Sequence, residues 1–201
     1  MELIEALRSR RSALRLTSPA PSDDEVLALV TDAATGPDHG SLRPWRLVLV
    51  RGAARQALGA AFAAELPQDR AAERARTEAK PLRAPLLISI VLTPRENPKV
   101  PHWEQLAATA VLVHNLQLLL HARGWGAMWR TGPPSRSTHV LNLLRLDPGE
   151  LLLGWLYVGT ADAAKPPPPR PKFDPGNRLF TLRPHGEVVP MYSAAKSGSR
   201  S

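Results

Sequence analysis

Three short stretches set side chains able to do chemistry beside residues that make turns. Arg10-Arg11-Ser12 follows a short amphipathic run, the loop Pro37-Asp38-His39-Gly40-Ser41-Leu42-Arg43-Pro44-Trp45 precedes an apolar Val48-Leu49-Val50, and Trp129-Arg130-Thr131-Gly132 closes a further apolar run. Two guanidinium forks and a hydroxyl suit phosphate oxygens, which they bind by short charge-assisted hydrogen bonds. Cations at a helix end equally complement its dipole, and the residue types alone favour this second reading. His39 has the chemistry of a base or of a donor to a ligand, yet beside Asp38 it also suits a plain turn. Pro44-Trp45 reads as a strand entry with a half-buried ring. Arg130 falls at an expected strand end, where α/β proteins place ligands, and it also suits an edge strand.

Composition narrows the chemistry. The 201 residues match one domain in size, and 43% of them are hydrophobic, enough for a core. Cys is absent, which removes disulfides, thiolate nucleophiles and Cys-based metal centres and fits a reducing compartment, so the cytoplasm is the expected location. The six His residues show no HxxxH or HExxH spacing, so no metal is expected. GxGxxG after a strand, a Walker loop and a Ser nucleophile elbow are missing from the sequence. The longest apolar run, 106–120, includes His114, Asn115 and Gln117 and is shorter than the ~20 residues of a membrane span, so no membrane partner is expected. The basic N-terminal stretch has no apolar core ahead of a cleavage site, so it reads as no signal peptide. The net charge of +8 comes from 26 Lys and Arg against 18 Asp and Glu. These cations form no aromatic-interleaved stripe of the kind single-strand binders use, which ranks a phosphorylated ligand above nucleic acid.

The elements that must hold these residues can be read from periodicity. Leu3, Ile4 and Leu7 share one face of a helix over 2–9. Ser22 and Glu25 form a capping box for a helix over 23–34, stopped by Gly36-Pro37. A strand is expected at 46–52, a helix at 53–65, a polar helix at 68–80 and a fully covered strand at 85–93. A long central helix follows from His102, then a strand at 126–130, a helix at 138–146 and a strand at 150–160. The run KPPPPRPKFDPGNRLF imposes extended polyproline geometry and reads as an arm across a surface. These strands and helices make an α/β (α+β) fold with a central mixed sheet flanked by helices. The expected organisation is one domain over 1–183 and a basic, disordered tail over 184–201.

The ordered set RRS (10–12), PAPSDDEVLALV (19–30), PDHGSLRPW (37–45), KVPHWEQ (99–105), GAMWRTG (126–132) and a terminal FDP…F closely resembles the nitroreductase superfamily, in particular its small NAD(P)H nitroreductases. The resemblance runs from about residue 2 to 183 and implies an FMN-binding homodimer with a flavin at each end of the subunit interface. It implies that Arg10, Arg11 and Ser12 hold the FMN phosphate and ribityl chain, that Trp129, Arg130 and Thr131 line the same flavin, and that His39 reaches the flavin of the partner subunit. Thr35 matches a further flavin-contacting position, where close relatives carry a basic residue. Much of the superfamily also has a basic residue two positions after the Ser; here Leu14 stands there, and backbone donors or Arg130 are expected to fill that role. The implied activity is reduction of small electron-poor organic substrates, such as nitroaromatics or quinones, by ping-pong hydride transfer from NADH or NADPH. Rival readings are a flavin carrier or redox sensor without efficient turnover, a specialised flavin-dependent biosynthetic dehydrogenation or fragmentation, and a basic nucleic-acid-binding module.

Overall fold

A computed structural model of the chain describes residues 1–164 and 167–191. Its hub is strand β5 (Leu151–Ala161), and three strands pair with it: β1 (Leu16–Thr17), β3 (Leu86–Leu92) and β4 (Gly126–Arg130). β2 (Trp45–Arg51) pairs with the far edge of β3. Every one of these pairs is antiparallel, where a mixed sheet was expected. The reason lies between β2 and β3. Helices α3 (Ala54–Ala63) and α4 (Ala71–Glu78) pack antiparallel: a Cβ on Gly59 would collide with the Glu78 carbonyl, and Arg74 donates back to Ala63 O at 2.9 Å. A pair of helices returns the chain to the end of the sheet it left, so β3 runs back along β2. The single long helix α5 (His102–Ala122) carries the chain across the sheet, so β4 runs parallel to β3 with β5 between them.

The sheet buries both faces, and strand alternation divides the residues between them. On one face Val26, Leu29 and Ala33 of α2 (Asp23–Ala33) and Leu112, Leu116 and Leu120 of α5 meet Leu86, Ile88, Ile90, Leu156 and Val158. On the other, Leu58 and Phe62 of α3 and Val140 of α6 (Thr138–Leu143) meet Leu87, Val91, Trp155 and Tyr157. Phe62 and Trp155 stack at 4.6 Å between ring centroids. β3 is buried along its whole length, which its uninterrupted Leu-Leu-Ile-Ser-Ile-Val-Leu run anticipates.

Tertiary contacts override two local expectations. Ser22 Oγ accepts from Glu25 N at 3.2 Å, but the Glu25 carboxylate does not complete the capping box; it accepts from Trp125 Nε1 at 2.7 Å, tying α2 to the chain after α5. In α1 (Leu3–Ser9) the apolar face does not enter the core: Ala6 alone is buried, while Leu3 and Ile4 are 65% and 56% exposed.

The chain divides into two compact units, Met1–Pro167 and Pro168–Ser201. Within the second unit β6 (Phe180–Leu182) and β7 (Val188–Pro190) form an antiparallel hairpin whose turn holds Gly186 at φ +85°. The boundary expected after Arg183 falls inside this hairpin, and residues 184–191, expected to be disordered, include β7. The signal was present as a β-branched Val188-Val189 following a Pro-His-Gly turn. Residues 192–201 of the expected tail lie outside the described residues.

An ion pair fastens β2 to the entry of β5. Arg46 Nε and Nη2 reach the Glu150 carboxylate at 2.9 and 2.6 Å, Nη2 also donates to Arg145 O at 2.8 Å, and Asp147 N donates to Glu150 at 3.0 Å. The hydrogen bond from Arg46 holds the Glu150 carboxyl below its ordinary 4.5, against the opposing effect of burial. A depressed carboxylate pKa adds stability above the unfolded value, and that stability is lost as pH falls through the folded one. Urea midpoints of wild type and Glu150→Gln should therefore differ at pH 7 and converge as the pH is taken below about 4.5.

Candidate functional site

β4 is the spine on which two of the three chemical clusters sit. The loop after α1 is pinned to its start, where Ala13 N donates to Ala127 O at 3.1 Å. This places Arg10 and Arg11 around a cavity of about 350 Å³ that also has Gln117 and His121 of α5 and Gly126 in its walls. Ser12 is exposed. Arg11 Nη1 donates to Arg8 O at 2.7 Å and Arg10 O at 3.0 Å, so this side chain caps the helix end while walling the cavity. The helix-end reading of the pair therefore holds for Arg11. Ser9 Oγ donates to Glu5 O at 2.7 Å, which leaves His121 Nε2, 2.7 Å away, as the donor to Ser9. Burial, then Arg10 and Arg11, push the His121 pKa below its ordinary 6.5. The ring therefore stays neutral at pH 7 and adds no positive charge beside the arginines.

At the other end of β4, adjacent side chains leave opposite faces of the sheet. Trp129 packs toward α5 and donates from Nε1 to Leu153 O at 3.0 Å, so its indole is structural. Arg130 projects to the other face, its guanidinium 5.3 Å from the centre of the Tyr157 ring. Thr131 and Gly132 follow at the mouth of a cavity of about 280 Å³, walled also by Phe62, Lys80, Arg83, Trp155 and Tyr157. A second cavity, of about 400 Å³, shares Arg83 and Arg130 and adds Leu14, Arg15, Thr17 and Asp162. Two buried donors here, Arg130 Nε and Trp155 Nε1, have no partner among the described residues. A buried N–H without an acceptor costs about 1–3 kcal/mol, so the two leave the packing behind this cavity wall incompletely satisfied. Burial raises the Tyr157 pKa, opposed by Arg130 and Arg83, and the phenol remains protonated.

Lys80 and Arg83, in the 3-10 turn Lys80–Arg83 before β3, were missed by the sequence reading. Their only signal was a Lys-Pro-Leu-Arg segment at the end of a polar helix, which reads as a solvated surface. The fold brings it under β4.

The structure does not gather Thr35 and His39 with these residues. Thr35 Oγ1 donates to Asp32 O at 2.8 Å and closes the end of α2. His39 lies in the 3-10 turn His39–Ser41, its side chain 58% exposed and Nδ1 2.7 Å from Glu104 Oε2. The loop is rigidly built: Asp38 Oδ2 accepts from Arg43 N at 2.7 Å, and Pro44 O accepts from Thr93 N at 2.9 Å. Trp45 begins β2 and packs against the core, as a strand entry. Glu104 stands in the first turn of α5 and His121 in its last. The 17 intervening steps (121 − 104), at about 1.5 Å each, separate the His39 and Arg10 ends by roughly 25 Å.

Known proteins resemble this chain in sequence and fold. A model of the nitroreductase family matches residues 7–160. The chain is 34% identical over 164 residues to "Putative NAD(P)H nitroreductase YdjA" of Escherichia coli strain K12, covering 80% of this chain and 88% of that protein. It is 27% identical over 167 residues to "Putative NAD(P)H nitroreductase YfhC" of Bacillus subtilis strain 168, covering 81% and 86%. Among solved structures, a nitroreductase-like family protein from Bacillus cereus superposes with a TM-score of 0.78 at 25% identity, over 89% of this chain and 95% of that one. The FMN and NADPH-dependent nitroreductase NfnB from sphigopyxis sp. strain HMH has the same fold, with a TM-score of 0.70 at 21% identity over 89% and 98%.

Arg130 owes its place to a glycine across the ladder. Gly154 has φ +106°, and a Cβ on it would collide with the Arg130 carbonyl and lie 3.1 Å from Thr131 Cγ2. Gly154→Ala should lower stability by more than about 1 kcal/mol, read from the urea midpoint, because alanine is strained at positive φ and the clash displaces the end of β4.

Proposed function

The chain belongs to the nitroreductase family, and on that premise we propose that it is an FMN-dependent NAD(P)H oxidoreductase that reduces small electron-poor organic substrates, nitroaromatics or quinones among them, by ping-pong hydride transfer. FMN supplies the redox chemistry, taking a hydride from NADH or NADPH and passing electrons on to the acceptor. The residues present fit such a group. The observation that carries the reading is the cavity at the end of β4, whose walls combine the aromatic rings of Phe62, Trp155 and Tyr157 with the cations Lys80, Arg83 and Arg130 and so suit a flat, electron-accepting ring.

In this reading Arg10, Arg11 and Ser12 hold the phosphate and ribityl chain, with Arg10 and Arg11 at the cavity beside His121. Trp129, Arg130 and Thr131 line the ring, Trp129 through its backbone and by fixing the strand. Thr35 and His39 come from a second copy of the chain. Two observations support a homodimer. His39 stands at the opposite end of α5 from the arginines, so one chain cannot close both ends of one cofactor site. Apolar side chains also lie uncovered on α1 and on the outer side of α5, where Trp103 is 68% exposed and Leu106 43%. Glu104 orients the His39 ring for its partner's site through the 2.7 Å bond to Nδ1. No helix among the described residues is long and apolar enough to cross a membrane, and the Cys-free sequence supports a cytoplasmic location.

The test is the visible spectrum of the purified protein, followed anaerobically on adding NADH and then NADPH. A flavin spectrum that bleaches promptly is the expected result. A flavin spectrum that stays oxidised would replace this reading with a carrier or sensor, and a colourless protein that FMN cannot reconstitute would overturn it and turn attention to nucleic acid. His39→Ala should weaken FMN binding with the melting temperature of the FMN-free protein unchanged; full occupancy and activity in that variant would remove His39 from the site.

A further inference from the structure

We infer that Arg83 is a cofactor-binding residue that, with Arg130, forms a two-cation clamp favouring the reduced, anionic form of the bound flavin; this rests on the FMN reading above. Arg83 and Arg130 are the two residues common to the walls of both cavities at the end of β4. They arrive from unrelated elements, Arg83 from the turn that enters β3 and Arg130 from the last residue of β4. Arg83 has no hydrogen bond or ion pair with the described residues. Arg46 pairs with Glu150 and Arg51 with Asp23, whereas Arg83, like several surface arginines among the described residues, has no such partner.

The surroundings leave the clamp unneutralised. Between them the two cavities hold a single carboxylate, Asp162, against Lys80, Arg15, Arg83 and Arg130. Leu14, 53% exposed, stands in the same wall and contributes no charge. Both side chains stand in the walls shared by the two cavities, and Arg130 lies over the ring of Tyr157, which lines one of them. Two like charges brought together without a counterion repel, and an anion placed between them relieves that repulsion.

Reduction of a flavin by two electrons and one proton leaves one more negative charge on the ring than the oxidised form carries. A cation beside the ring therefore binds the reduced form more tightly than the oxidised one. One nearby charge shifts such an equilibrium by about tenfold or more. For a two-electron couple, a tenfold change in that ratio is about 30 mV.

The experiment is an anaerobic dye-coupled titration of the bound flavin's midpoint potential in FMN-loaded wild type, Arg83→Gln, Arg83→Lys and the double variant Leu14→Lys/Arg83→Gln. Arg83 is exposed, so these changes leave the core intact. Arg83→Gln should be more negative than wild type by about 30 mV, the tenfold preference lost. Arg83→Lys should keep most of the wild-type value, and Leu14→Lys in the Arg83→Gln background should restore it by returning a cation to the same wall. A loaded Arg83→Gln at the wild-type potential, or one that loses affinity for oxidised and reduced FMN equally, would overturn this inference alone. A wild-type chain that cannot be loaded with FMN at all would overturn the functional reading and the inference with it.

Discussion

The pairing of β4 with β5 is the constraint on which the candidate site depends. β4 is only five residues long and has a single ladder partner, so β5 dictates where each of its side chains points. The period of two sends Trp129 into the α5 face and Arg130 over Tyr157 on the other. It also leaves the outer edge of the strand open at its start, where the backbone of Ala13 docks and brings the Arg10-Arg11 loop with it. One short strand thus spaces a cation pair at one end from a cavity with aromatic and cationic walls at the other. Gly154 permits the closest approach, because any Cβ at that position would occupy the space of the Arg130 carbonyl.

Helix α5 supplies the second constraint. It buries one side against the sheet along 21 residues and so works as a rigid spacer. His39 is tied to its first turn through Glu104, and the Arg10 cavity sits against its last. No side-chain movement spans roughly 25 Å. The exposed leucine, isoleucine and tryptophan side chains on α1 and α5 leave apolar surface in water, at a cost of about 25 cal/mol for each Å², which supports the homodimer proposed above.

Charge is distributed with the same division of labour. Where arginines hold the fold together they are matched, by Glu150, by Asp23 or by the carbonyls at the end of α3. Where they face the two cavities at the end of β4 they are not. Part of the excess of +8 in the sequence is therefore local, four cations facing one carboxylate where an anionic or acceptor-rich ligand is proposed to bind.

Much of this was legible in the sequence. The strand over Leu86–Leu92, the helix from His102 and the strand Gly126–Arg130 announce themselves by local patterns, because burial on one or both faces selects apolar residues at a fixed period. The order of the RRS, PDHGSLRPW and GAMWRTG segments was enough to indicate the family. What no local pattern carries is the partner of each element. The antiparallel ladder follows from α3 and α4 folding against each other, the exposure of α1 from the absence of any element among the described residues over its apolar face, and the diversion of the Glu25 carboxylate from Trp125, 100 positions away in sequence. Arg83 is the sharpest case. As a residue type at the end of a polar helix it is one more solvated cation, and only the crossing of two distant segments under β4 places it beside Arg130, since proximity between residues far apart in the chain is set by packing and not by the order of residues.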